Sequence, residues 1–437
     1  MPETVEDGTQ SGALATVIIL CLFNALSYAD RQIITLLVAP IKADLGISDF
    51  ALGLIQGSAF VLLYATLGVF FGAILDRGSR RWLVWAGVSF WSLSTMLCGA
   101  AKSTIHLFMA RVGVGAGEAI LAPAAYSLIS DLVPAKRLSS AIGIFHIGSI
   151  LGAAGALIIG GQSIGAAERL ATQLEPTFGH ISGWQIVFLI VGLPGLIIAP
   201  LAFLMKDVRR SRSSQVATTS VMPFLARRRA YLTTHFLGFG CIVLLASASQ
   251  SWVPTALIRI YGMDVASTGV TLGIILVIGG IAGYLIAGLI GDRMWAKGKT
   301  DSAFRYARSA TLILLLCCPL AFISDNVIVF LFGYGIQVVF VNQFGIAAAH
   351  LQITTPPALR GRISALFLMC AYMIGMMLGP PSVGLITDVV FQDEEKVGFS
   401  IALVYLFVCP LAILLFSLGR KYATIAVEDE RILSLNS

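Results

Sequence analysis

Charge is what this sequence has least of. Lys, Arg, Asp and Glu make up 12% of its 437 residues and apolar residues 57%, for a mean hydropathy of +0.89. A soluble domain carries about 25% charge, and one of this length could not cover so much apolar surface. Cysteine is sparse as well: the seven (Cys21, Cys98, Cys241, Cys317, Cys318, Cys370, Cys409) all fall in apolar runs. None stands at metal-ligand spacing, which argues against a metal centre or a disulfide framework and suits small apolar packing residues. The alternating ten-residue segments of a β-barrel are missing. So is a basic stretch ahead of the first apolar run, where Glu3, Glu6 and Asp7 stand instead. That run reads as a retained helix rather than a cleaved leader. Nothing pairs a nucleophile with a base, so neither an enzyme nor a cofactor is expected. The net charge of +6 reads as topology rather than as a nucleic-acid-binding surface.

What the chain does have is apolar runs long enough to cross a bilayer, each of roughly 20 residues or more. Hydropathy and flanking Gly, Pro and charge predict twelve spans: 14–39, 50–75, 82–101, 105–130, 138–165, 184–205, 231–261, 268–291, 306–324, 327–350, 361–387 and 397–419. Of the 29 basic residues, 22 fall in the even-numbered connections and the C-terminal tail, and five in the odd-numbered connections. Positive charge marks the cytoplasmic face, so both termini are expected there. Arg31 and Arg111 are left over, inside the membrane.

The chain repeats itself. GAILDR (Gly72 to Arg77) follows span 2 and GLIGDR (Gly288 to Arg293) follows span 8, offset by 216; PAKR (Pro134 to Arg137) and PALR (Pro357 to Arg360) follow spans 4 and 10, offset by 223. Two echoes in matching connections imply duplicated halves, a transporter architecture. The expected fold is all-α: twelve transmembrane helices in two pseudo-symmetric six-helix bundles, residues 1–205 and 231–437, joined by a basic cytoplasmic linker, 206–230.

GAILDRGSRR, with Gly72, Asp76, Arg77, Gly78, Arg80 and Arg81, resembles the loop 2–3 signature of the major facilitator superfamily. RVGVGAGEA (Arg111 to Ala119) and YADRQ (Tyr28 to Gln32) resemble its spinster-type branch more narrowly. GDRMWAKGK, after span 8, departs from the full signature. The resemblance implies alternating access, lysolipid or sphingoid-phosphate substrates and proton coupling. It also implies a cytoplasmic gate in which Asp76, Arg77 and Arg80 latch the bundles together, with Gly72, Asp292 and Arg293 in the equivalent loops.

Four ionisable residues lie deep in spans: Asp30, Arg31, Arg111 and Glu118. Such groups cost several kcal/mol unless paired or wet and so default to function; the bland alternative is two structural ion pairs. At about 100° per residue, Asn24, Ser27, Tyr28, Arg31 and Thr35 share one face of span 1, a stripe expected to line a wet cavity. Asp30 turns toward a neighbouring helix of its own half. Arg111, Gly115 and Glu118 share a face of span 4. By helical rise the two arginines come out at similar depth, roughly 9–12 Å from the outer edge, with Glu118 about 10 Å deeper than Arg111. Arg31 and Arg111 are expected to hold an anionic headgroup, as guanidinium suits phosphate or carboxylate, and Asp30 and Glu118 to carry protons. Asn24 and Tyr28 join the substrate site, as do the neutral candidates Gln250, Asn342, Gln343 and Tyr372 of the second half. His146 is a weaker relay candidate; His235 and His350, near span ends, are expected to be solvated or interfacial.

The function expected is a proton-coupled secondary transporter of an amphipathic anionic lipid, with a proton-coupled exporter of a small organic anion or drug as the alternative. Its partners would be that small amphipathic substrate, protons and membrane lipids, with no nucleic acid; the chain would be a monomer in the bacterial inner membrane. A channel would need a filter loop, and none is seen.

Overall fold

The structure, a computed structural model, describes residues 3–75, 79–207, 221–356 and 359–435. Among them every regular element is helical. Twelve helices are long and apolar enough to cross a membrane: Gly12–Leu36, Asp49–Gly68, Arg80–Gly99, Thr104–Leu132, Ser140–Thr177, Gly183–Leu204, Arg229–Tyr261, Val265–Ala296, Ser302–Phe322, Val327–Ile353, Arg360–Phe391 and Glu394–Asp429, numbered spans 1 to 12. Each predicted span coincides with one of these within a few residues, save that several helices run on past the apolar stretch. Span 5 belongs to a helix from Ala135 to Phe178, and span 12 to one from Val397 to Leu435. Amphipathic turns continue a helix beyond the point at which hydropathy fades.

The chain falls into two compact units. One comprises Met1–Ser213 with Gly262–Ile274; the other Ser214–Tyr261 with Ile275–Ser437. Most of the proposed linker lies outside the described residues. Its described end forms a short helix, Met222–Arg227, leading into span 7, and the buried Arg228 ion-pairs with Asp429 at 3.1 Å.

Close backbone approach builds the first unit. Small residues let membrane helices pack tightly, where apolar burial gives no preference over lipid. A Cβ on Gly148 or Gly152 of span 5 would overlap the Cys21 and Ala25 carbonyls of span 1, and one on Gly115 of span 4 would overlap the Phe60 carbonyl of span 2. Gly115 thus brings span 4, with the charges on its face, against span 2. All seven cysteines are free thiols.

Candidate functional site: a buried charge cluster

The four intramembrane charges meet inside the first unit, on spans 1 and 4. Span 1 stays α-helical to Ile33 and then tightens into a 3-10 turn, Ile34–Leu36. Long side chains on a helix lean toward its N-terminus, so Arg31 reaches back one turn to the level of Ser27. There Arg31 Nε and Nη2 lie 2.6 and 2.5 Å from Glu118 Oε2, and Ser27 Oγ donates to the same oxygen at 2.6 Å. Cα depth alone set Glu118 well below Arg31; the lean of the arginine closes that gap. Glu118 Oε1 has no protein partner.

Arg31 also sits in an aromatic box. Its guanidinium carbon lies 4.7, 4.4 and 4.7 Å from the ring centres of Tyr28, Phe60 and Tyr64, with Phe60 and Tyr64 stacked one helical turn apart on span 2. Ring faces attract a cation most where water is excluded.

Asp30 looks the other way. Thr95 Oγ1 on span 3 donates to its carboxylate at 3.1 Å, and its backbone carbonyl accepts from Arg111 Nη1 at 3.2 Å. Cys98, one turn beyond Thr95, is buried. Neighbouring charges in the sequence therefore serve different helices, Asp30 toward span 3 and Arg31 toward span 4. Arg111, Glu118 and Asp30 are only 1–2% exposed, whereas the Arg31 side chain is 11% exposed. Of the four, Arg31 alone reaches an accessible surface.

The expected stripe is only partly accessible. Tyr28 is half-buried, but Asn24 and Thr35 are buried. Asn24 donates to the Phe145 carbonyl of span 5 at 2.8 Å, and Thr35 to the Gln32 carbonyl one turn back. Both tie backbone within the unit.

Two spans are interrupted at matching points. Span 4 is loosened at Ala119–Ile120, where the backbone keeps right-handed helical angles; span 10 breaks between Val341 and Phe344, where Asn342 leaves helical geometry at φ −77°, ψ 65°. Ala119–Ile120 and Asn342–Gln343 are offset by 223, as PAKR and PALR are. Paired helix breaks in duplicated halves mark transporter binding sites. Here one falls beside Glu118 and the other on two predicted site residues. By the same offset, Tyr334 stands where the first half has Arg111.

The sequence profile of the Major Facilitator Superfamily matches residues 20–380. The chain belongs to that superfamily. It is 30% identical over 386 residues to an MFS-type efflux pump of Mycolicibacterium smegmatis, covering 87% of this chain and 86% of that one. It is 26% identical over 400 residues to protein spinster of Drosophila melanogaster, covering 87% of this chain and 63% of that one. Its fold matches the solved structure of a bacterial homolog of the human lysosomal transporter Spinster, with a TM-score of 0.78, 20% identity and coverage of 95% and 97%. The expected spinster-like superfamily member, an integral multi-pass membrane protein with a transporter's fold, is what these findings support.

The superfamily loop signature is only partly visible. Gly72 lies in the helix Ala59–Leu75, and Asp76 and Arg77 lie outside the described residues. Arg80 is buried. It pairs with Asp131 at 2.5 Å and Asp207 at 3.0 Å, and donates to Ser127 at 3.1 Å. Asp292 and Arg293 are exposed. The corresponding tie in the second unit is built instead on Asp301, which pairs with Arg305 at 2.5 Å and Arg420 at 2.7 Å. Arg80 opens span 3 and Asp301 caps the start of span 9, while Asp207 follows span 6 and Arg420 lies within span 12, so the two ties join corresponding spans with their signs exchanged. Burial pushes the Asp301 carboxyl up, but hydrogen bonds from Arg420 and Arg305 outweigh it and hold the group below the ordinary carboxylate value.

The remaining candidates of the second unit are neutral. Asn342 and Gln343 donate at 2.6 Å to the Val338 and Phe340 carbonyls, satisfying backbone where span 10 breaks. Gln250 is half-buried. Tyr372 stacks on Phe344 with ring centres 6.1 Å apart, and Phe344 in turn meets Phe367. His146 meets the Tyr126 hydroxyl at 2.9 Å on an exposed face.

His235 and His350 correct the expectation that they are solvated: both are buried. His235 lies against Ala347 O and the rings of Phe239, Phe304 and Phe367; His350 lies between the Tyr231 hydroxyl and the Thr300 carbonyl. Aromatic packing covers the ends of spans 7, 9 and 10, where hydropathy alone suggested water. Sequence reasoning missed Phe60, Tyr64 and Thr95, whose signals were faint: two aromatics four apart on span 2, and one hydroxyl on span 3.

Proposed function

We propose that this superfamily member is a proton-coupled secondary transporter working by alternating access, and that it moves an amphipathic anionic lipid such as a lysophospholipid or sphingoid phosphate. The observation that carries the reading is the Arg31–Glu118 pair, boxed by Tyr28, Phe60 and Tyr64. With Glu118 ionised, Arg31 is neutralised by its own protein. Protonating Glu118 cancels that pairing and leaves a guanidinium, still oriented by the rings, for a phosphate or carboxylate to take. Proton and anion occupancy are thereby linked: each favours the other's binding at one arginine. Asp30, turned toward span 3, sets the field around Arg111 and is the second carrier. Arg111, whose Nε has no protein partner, is the second guanidinium for the headgroup, and Asn24 holds span 1 to span 5.

The charge count supports cytoplasmic termini, and the 30% identity to a Mycolicibacterium smegmatis pump supports a bacterial inner-membrane location. A small organic anion or drug, exported with proton coupling, is the second reading. The specific observation in its favour is the 30% identity to an efflux pump. A thermal-shift and proteoliposome-uptake screen of lysolipids against small organic anions, with and without a pH gradient, separates the two. The first reading expects a lysolipid hit that weakens on substituting Arg31 or Arg111; hits confined to small anions overturn it.

A further inference from the structure

Gln56 is the most incongruous polar residue in the first unit. It is 5% exposed, and neither its Nε2 nor its Oε1 meets a protein partner. A buried amide left so costs free energy that an apolar residue of the same size would not. It also sits in a π-helical turn, Leu54–Ser58, where span 2 departs from α geometry; such turns gather at functional positions.

Register places Gln56 beside the charge cluster. One turn further on, Phe60 lays its ring over Arg31 and toward Arg111, and sets its carbonyl where a Cβ on Gly115 would lie. Spans 2 and 4 run in the same sense, being separated by one returning span. Gln56 stands four residues before Phe60, and Arg111 four before Gly115, so the two share a level. Arg111 Nε is likewise buried without a partner. Two donor groups, Gln56 Nε2 and Arg111 Nε, therefore stand at one level with one acceptor, Gln56 Oε1. Two donors suit an oxygen of an anion; the acceptor asks in addition for a hydroxyl on the ligand.

We infer that Gln56 is a specificity-determining residue of this site, selecting an oxyanion that carries a neighbouring free hydroxyl. The inference rests on the lipid-transporter reading and narrows its substrate class: the preferred headgroup presents its hydroxyl to Gln56 Oε1 while its phosphate oxygen accepts from Arg111 Nε and Gln56 Nε2. An amide that gains its partner only from a ligand hydroxyl favours that ligand over the analogue lacking it by about one hydrogen bond.

The test compares lysophosphatidate, with its free hydroxyl beside the phosphate, against its deoxy analogue in proteoliposomes containing the full chain. The wild type is expected to show a half-saturation constant roughly tenfold lower for the hydroxylated lipid, one hydrogen bond's worth of preference. In Gln56→Leu, which keeps the side-chain volume, the ratio should fall to about one while thermal stability holds or rises. Gln56→Glu, setting a carboxylate against the oxyanion, should weaken both lipids. A Gln56→Leu protein that keeps the preference overturns the assignment and leaves Gln56 a buried structural residue. Equal constants for both lipids in the wild type defeat this assignment alone. Uptake of neither by the wild type defeats the lipid reading and the assignment with it.

Discussion

At the scale of single residues, the arrangement turns on a carboxylate oxygen shared by three donors, Arg31 Nε, Arg31 Nη2 and Ser27 Oγ, and on the rings around that arginine. A lysine at position 31 keeps the charge but loses both the fork that grips one oxygen from two nitrogens and the flat face that rests on Phe60. Arg31→Lys should therefore raise the half-saturation constant of the transported anion roughly tenfold, about 1.4 kcal/mol, with expression and thermal stability close to wild type. Unchanged uptake kinetics would mean that Arg31 is a structural cation only. That Asp30 and Arg31 point in different directions was legible in the sequence, because neighbours on a helix cannot share a face; the expected destination of Arg31 was a wet cavity rather than span 4. That Arg31 reaches Glu118 was not: Cα depth says nothing about which way a long side chain leans. The aromatic box was equally hidden, because Phe60 and Tyr64 on an apolar span read as lipid-facing or packing residues until a partner is fixed beside them.

At the scale of elements, glycine decides which helices can touch. Gly115 gives span 2 its approach to span 4, and a methyl there meets backbone rather than a side chain that can swing away. Gly115→Ala should cost at least 1–3 kcal/mol, the range for overpacking, and lower the melting temperature in detergent along with transport. Gly143, on span 5, has open space around its Cα. Gly143→Ala should be neutral or raise stability by about 0.5–1 kcal/mol through helix propensity. Equal effects of the two substitutions would show that close packing of spans 2 and 4 is not what Gly115 provides. The interruptions after Glu118 and Val341 could not be read from hydropathy, since spans 4 and 10 stay apolar across them. Only the duplication brings the two interruptions to one offset.

For the whole molecule, the spans and the duplication were legible from composition and two short echoes, whereas the tie at Asp301 was not. Its sign is the reverse of the Arg80 tie, so a search for a second copy of the loop signature looks past it to Asp292 and Arg293, which stand exposed. Because the folded Asp301 carboxyl is held below its ordinary value, its contribution is present at any pH above the unfolded value of about 3.9 and is lost as pH falls through the lower folded value. Asp301→Asn should therefore lower the melting temperature at pH 7, by an amount equivalent to about 1–2 kcal/mol. The gap to wild type should begin to narrow below about pH 4 and close once pH falls below the folded value; a gap that persists there would assign the loss to packing rather than charge. The central claim is that Glu118 couples the proton to the anion through Arg31. The direct measurement is lysophosphatidate transport in proteoliposomes by wild type and Glu118→Gln, once with an imposed pH gradient and once as exchange at equal pH. The account predicts that Glu118→Gln exchanges substrate but no longer responds to the gradient; a variant whose gradient-driven uptake remains intact would contradict it.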